Sequence, residues 1–235
     1  MNGASLIQGP ISSTSWITIY GTNLSSNTRS WNTSDFIGNR LPTNLDGVSV
    51  SVNGKAASVY YISPVQINAQ APTDNNLGMV SVQVSTSQGT ATSFATLQAD
   101  APAFFPYDAA DRKYPAAIHA DGTVVGRPDL FGGSLPASPA RPGETISLFG
   151  TGFGSTSPVV QSGLIFTGAA SLADMSMLAV RIGGIPAEVS FAGLVSAGVY
   201  QFNVIIPEVE DGDQPLLAEI GSFKSQPNLF VTVQR

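Results

Sequence analysis

Trp16-Ile17-Thr18-Ile19-Tyr20-Gly21-Thr22 decides the fold, because the chain says it twice: it returns as Thr145-Ile146-Ser147-Leu148-Phe149-Gly150-Thr151. Two further segments return in the same order. Val52-Asn53-Gly54-Lys55-Ala56-Ala57 comes back as Ile182-Gly183-Gly184-Ile185-Pro186-Ala187. Gln66-Ile67-Asn68, followed by Pro72, comes back as Gln201-Phe202-Asn203, followed by Pro207. The displacements are 129, 130 and 135 positions. Three ordered matches at nearly one spacing are an internal duplication of a module of roughly 100 residues, the size of a small β-sandwich domain. The duplication also acts as a filter. A residue kept in both copies is expected to serve the fold, and a residue found in one copy is where function is sought.

Outward from these segments the apolar residues alternate with period two, the mark of half-buried strands. Val48, Val50 and Val52 alternate with Ser49 and Ser51, and Val80, Val82 and Val84 with Ser81 and Gln83. Ile17 and Ile19 face one way, with Trp16, Thr18 and Tyr20 facing the other. Asn53-Gly54, Gly183-Gly184, Asp121-Gly122 and Asp211-Gly212 mark turns; the first two suit hairpin turns with positive φ at both central residues. No helical period is sustained, and 16 prolines interrupt most candidate helices. The expected fold is all-β: two tandem sandwiches, residues 1–100 and 141–235, joined by residues 101–140. A solvated linker rarely carries Phe104, Phe105, Tyr107 and Tyr114, so that joint is expected to be an ordered connector, with a small hairpin at Asp121-Gly122, packed on the second sandwich.

Composition excludes several classes. The 235 residues contain no cysteine, so there are no disulfides or thiolate metal sites. Only 11% of residues are charged and the net charge is −6, with no basic stripe, so a nucleic-acid partner is not expected. No run of about 18 apolar residues is present, so no membrane insertion is expected. Met1-Asn2-Gly3-Ala4-Ser5 lacks the basic start and apolar run of a signal peptide, so a secreted origin implies a longer precursor.

These residues resemble a known family. A strand ending in Ile19-Tyr20-Gly21-Thr22-Asn23-Leu24 or Leu148-Phe149-Gly150-Thr151-Gly152-Phe153, a Val180-Arg181-Ile182-Gly183-Gly184-Ile185-Pro186-Ala187 turn, and a Gln-x-Asn-x-x-x-Pro segment look like the IPT/TIG immunoglobulin-like domain. The whole chain is similar to the C-terminal domain of secreted acidobacterial proteins of the Solibacter type. Ala101-Pro102-Ala103-Phe104-Phe105 and Ala140-Arg141-Pro142-Gly143-Glu144 resemble that domain's corresponding segments. The resemblance implies two tandem immunoglobulin-like sandwiches and a location outside the bacterial cytoplasm, secreted or at the cell surface. It carries over no catalytic residue. His119 departs from it, standing where asparagine is common.

The filter then sorts the candidates. Gln66 with Asn68, and Gln201 with Asn203, alternate on one side of a strand. They could form a polar ligand platform; being duplicated, they are expected to be structural, their amides bonding loop backbone at the sandwich edge. Gly21 and Gly150 are expected to serve a positive φ or a close backbone approach. Trp16 has Thr145 as its counterpart and Tyr60 has Ser190; Tyr61, aligned with Phe191, is expected in the core. Trp31 sits in a polar insertion, residues 25–45, either anchoring that loop or exposed for binding. Trp16, Trp31 and Tyr60 are therefore the candidate ligand-binding residues, as flat apolar rings on which a sugar could stack; Trp16 could equally pack on the connector or the other domain.

The single histidine, His119, would need a serine and a carboxylate beside it to act as a hydrolytic base, and no Gly-x-Ser-x-Gly elbow occurs. It is expected to be a surface turn residue. Asp108 and Asp111 complete the hydrolase alternative. Glu208, Glu210, Asp211 and Asp213 could offer oxygen ligands to calcium, but lack EF-hand spacing and read as a solvated loop. The expected function is a non-catalytic extracellular interaction or spacer module, without cofactor or metal, working beside neighbouring domains of a parent protein and binding a glycan or surface protein. A dedicated carbohydrate-binding module and a glycan- or ester-cleaving hydrolase are the rivals.

Overall fold

The computed structural model describes residues 1–132 and 134–235. Its regular structure is β throughout, apart from two single 3-10 turns at Thr33–Asp35 and Met175–Met177. In the first sandwich one sheet runs in the order Trp16–Tyr20, Gln66–Gln70, Ser58–Ile62, Arg29–Ser30. The facing sheet runs Ile11–Ser12, Gly89–Gln98, Gly78–Thr86, Val48–Val52, Asn44–Leu45, with Lys55–Ala56 also on Val48–Val52. The inward residues of both sheets, among them Ile17, Val50, Val59, Ile67 and Leu97, form one core. Val48–Val52 shows why: its three valines are buried and its two serines are half-exposed.

The second sandwich repeats the plan. Leu178–Ile182 and Gly212–Ile220 form the centre of a five-stranded sheet, and Thr145–Thr151, Val199–Ile205 and Val189–Ser196 the centre of a nine-stranded one. The larger sheet is extended by the connector. Ala103–Phe104 and Ala117–Ile118 pair with Thr145–Thr151, and Val124–Val125 and Ala137–Ser138 continue outward from them. Phe104 is fully buried, its ring 5.4 Å from both Phe153 and Phe202. The connector thus belongs to the second core. Gly150 lets it approach: a Cβ there would lie 2.6 Å from the Ala103 carbonyl oxygen.

Two sequence expectations change. Tyr61 is half-exposed and not in the core, because a β-bulge between Val59 and Tyr61 adds a residue and shifts the strand's alternation, so that Tyr61 pairs with outward-facing Asn68. The same bulge recurs between Val189 and Phe191, which pairs with Asn203. The duplicated amides do not bond loop backbone. Asn68 Oδ1 accepts from Thr18 Oγ1 at 3.1 Å and Gln66 Nε2 at 2.8 Å, and Asn203 Oδ1 accepts from Ser147 Oγ at 3.1 Å and Gln201 Nε2 at 2.7 Å. Each copy carries a triad centred on its asparagine oxygen on the outer face of its sheet, and the second copy adds a bond from Gln201 Nε2 to Ser147 Oγ at 3.3 Å.

Candidate functional site

The outer face of the first sandwich's smaller sheet meets the second sandwich along a seam. Alternation sends Trp16 outward beside Thr18, and the bulge turns Tyr60 to the same side, where it is 38% exposed. Trp31 arrives from the insertion, which is held in place by Arg29. That guanidinium forks onto Asp35 (2.8 and 3.0 Å) and reaches Asp46 at 2.7 Å. Asn32 and Asp35 close a reciprocal cap around the 3-10 turn. The hydrogen bonds from Arg29, then from Asn27, hold the Asp46 carboxyl at about 2.

The structure brings all three candidate residues together. Trp31 and Tyr60 have ring centroids 4.9 Å apart, Trp16 and Tyr60 5.7 Å, Trp16 and Trp31 5.9 Å, and Phe36 adds to the far side of Trp31 at 5.6 Å. The rings are mutually tilted by 59–77°. They line a cleft of about 480 Å³ together with Thr18 and Asn68, Phe105 of the connector, and Ser196, Ala197 and Val199 of the second sandwich. No charged side chain lines it among the described residues.

Trp16 is also the joint between the sandwiches. Its indole N–H donates to the Ala197 carbonyl at 3.0 Å, and its backbone N–H donates to Thr151 Oγ1 at 3.0 Å, which in turn donates to the Gly198 carbonyl at 2.7 Å. Gly198 sits at φ 66°, and a Cβ there would lie 2.9 Å from the Trp16 Nε1 and 3.0 Å from the Gln70 Nε2. A second loop docks alongside. Gly163 N donates to Gln70 Oε1, Leu41 N donates to the Gly163 carbonyl, and Thr73 N donates to Ser162 Oγ. Of the two packing partners open to Trp16, the second sandwich is the one it bonds. Phe105 in the cleft lining and Phe36 behind Trp31 are residues the sequence does not single out for the site, whereas Asn68 is open there to both a scaffold and a ligand-facing reading.

His119 lies elsewhere and is not a free turn residue. Its side chain is 10% exposed. Nδ1 meets Glu144 Oε1 at 2.5 Å, while Nε2 is 3.0 Å from the Ser138 carbonyl oxygen and 3.1 Å from Ser138 Oγ. Burial lowers the imidazole pKa, but the hydrogen bonds to Glu144 and the Ser138 carbonyl and the negative charges of Glu144 and Asp121 outweigh it, so the net shift is upward. With Glu144 Oε1 on one nitrogen and the Ser138 carbonyl on the other, the ring clamps the connector hairpin to the start of the second sandwich. Asp108 and Asp111 are exposed in a separate loop and do not line the cleft at His119. Asp213 is taken up by Lys113, Tyr114 and Thr232, each at 2.7 Å, tying the connector to the last strand. Among the described residues, no group of three or more metal-ligating side chains is placed to hold an ion.

Fold and seam together define a pair of immunoglobulin-like sandwiches with a ring-walled cleft at their junction. Residues 3–99, which make up the first sandwich, match the IPT/TIG domain family model. The second is tied to it by the duplication. No curated protein sequence matches the chain. Among solved structures it is similar to the Bacteroides ovatus mixed-linkage glucan utilization locus protein SGBP-B in complex with a mixed-linkage heptasaccharide, at 11% identity over 97% of this chain and 44% of that one, TM-score 0.38. It is also similar to the full extracellular region of plexin A4 (14%, 97% and 17%, TM-score 0.30) and to the fibronectin(III)-like modules of Clostridium thermocellum CbhA (12%, 99% and 94%, TM-score 0.21). The chain spans less than half the length of the first two. No helix among the described residues is long and apolar enough to cross a membrane.

Proposed function

We propose that this chain is a non-catalytic interaction module of a larger bacterial protein, working outside the cytoplasm, and that it binds a glycan in the cleft between its two sandwiches. The carrying observation is the convergence of Trp16, Trp31 and Tyr60 on one uncharged cleft. Three rings scattered over 45 positions of sequence meet at one place, and all three belong to the first copy. Aromatic faces offer apolar contact to the C–H faces of sugar rings, and a cleft of this size falls in the range of small-ligand sites.

The seam supports a spacer role beside the binding one. Backbone and side-chain hydrogen bonds at Trp16, Gln70, Thr73 and Leu41 cross it, so the module holds its neighbours at a set angle. The His119 clamp favours a structural over a hydrolytic role, because Nε2 is engaged by a main-chain carbonyl. The test is a titration of the purified chain with a panel of neutral oligosaccharides, followed by tryptophan fluorescence. Binding that is lost in Trp31→Ala and Tyr60→Ala is the expected result. Turnover of a polysaccharide or chromogenic ester that disappears in His119→Ala would replace this reading with the hydrolytic one.

A further inference from the structure

The cleft carries more than rings. Asn68 Oδ1 is filled by Thr18 Oγ1 and Gln66 Nε2, which fixes the amide's orientation. Its Nδ2 group then has two N–H donors and no acceptor among the described residues, on a side chain that lines the cleft. A ligand must present acceptor oxygens there. It must also be neutral: a charged group entering would be desolvated against a lining with no counter-charge, in a chain of net charge −6. Apolar ring faces beside fixed amide donors fit a hydroxylated ring with an apolar face, a pyranose.

The geometry also limits how a chain can sit. Successive rings of an extended glycan stack best on aromatic faces that lie in one plane. Here the three rings are tilted 59–77° to one another, so one face stacks and the others contact edges. Phe105 and the Ser196–Val199 turn line the same cleft, so it lies against the second sandwich and is not an open sheet face. Resting on the glycan-binding reading above, we infer that the cleft takes the terminal ring of a neutral saccharide, with Asn68 Nδ2 as the donor that fixes it, and does not take the middle of a chain.

The second copy supplies the control. Asn203 Oδ1 is filled in the same way, but Thr145 and Ser190 stand at the positions of Trp16 and Tyr60. Asn68→Asp keeps the acceptor oxygen that holds the triad, removes the donors and adds a charge; Asn203→Asp makes the same change where no ligand sits. The experiment is calorimetric titration of the intact chain and both variants with neutral gluco-, manno-, galacto- and xylo-configured di-, tetra- and hexasaccharides, and with digalacturonate as the charged probe. The expected result is one configuration that binds with the same affinity per chain at all three lengths, no binding of digalacturonate, a loss of about threefold to tenfold or more in Asn68→Asp, and an unchanged affinity in Asn203→Asp. Affinity that climbs with each added pair of rings, or digalacturonate bound as well as neutral sugars, overturns the chain-end inference while leaving glycan binding standing. No binding of any neutral saccharide overturns both. Equal melting shifts in the two variants separate a lost donor from a lost fold.

Discussion

The two copies share a polar triad and differ in what stands over it. Gln66, Asn68 and Thr18 repeat as Gln201, Asn203 and Ser147 with hydrogen bonds equal to within 0.1 Å. In the first copy the triad floors a cleft walled by Trp16, Trp31 and Tyr60. In the second, Thr145 and Ser190 replace two of the rings, and the outer edge of Thr145–Thr151 is occupied by connector strands. One scaffold is therefore flanked in two ways: the first copy brings rings to the cleft, and the second brings the Ser196–Val199 turn. The difference lies in the residues added around the triad, not in the triad itself.

The sharpest way to break that comparison is at the position where the copies diverge most. Trp16→Ala removes a half-buried indole, its contacts with two rings and the bond to the Ala197 carbonyl. It should cost about 2–4 kcal/mol in denaturant unfolding and widen the angle distribution between sandwiches seen in solution scattering. Thr145→Ala, on an exposed position of the matching strand, should stay within about 0.5 kcal/mol. Equal costs would mean that Trp16 is not the joint.

The triads give the next largest effect. Asn68→Ala and Asn203→Ala each leave a half-buried amide and a hydroxyl without their acceptor, and each should cost roughly 1–3 kcal/mol. The cost at Asn203 should be the smaller, because Gln201 Nε2 keeps its 3.3 Å bond to Ser147 Oγ, which has no counterpart at Gln66. A much larger cost at Asn68 would show that its amide holds the seam as well as the sheet.

How much of this the sequence disclosed follows from the kind of signal each feature leaves. The sandwiches were legible because duplication, alternation and turn glycines are written in residue order. The bulges were not: an inserted residue has no residue type of its own, so Tyr61 read as core until its pairing with Asn68 was seen. The three candidate rings were legible as the unduplicated remainder, but their meeting was not, since it depends on the Arg29 fork that folds the insertion back. Trp16 bonds a main-chain carbonyl and His119 another, and carbonyls carry no sequence signal. Asn68 shows the limit of the filter. Being duplicated marks it as scaffold, and only the structure shows that Asn68 lines the cleft beside the rings.

The His119 clamp belongs to the second copy alone and sharpens the comparison through pH. Its folded pKa lies above the ordinary 6.5, so the protonated ring is favoured by folding. Its stabilisation is complete below pH 6.5 and fades as pH rises from there through the raised folded value. Glu144, Asp121 and the Ser138 carbonyl face the ring, and Arg141 borders the same cleft. His119→Asn should therefore melt below the parent at pH 5.5, with the gap narrowing by pH 9. A gap that is flat across that range would mean the ring is held for its shape and not its charge.

Arg29→Ala should have the smallest global effect and a distinct local one. The guanidinium is partly exposed, and ion pairs in such settings contribute little to overall stability. Its work is geometric: two carboxylates on one fork hold the segment that carries Trp31 and Phe36 against Trp16 and Tyr60. The melting temperature should scarcely move, while amide exchange speeds up across residues 29–36 and saccharide affinity falls. Amides of the second sandwich should keep their protection, since the seam bonds at Thr151 and Gly198 do not pass through the loop. If the loop stays protected without Arg29, then the ring cluster holds itself together, and the wall over the first triad is built by packing alone.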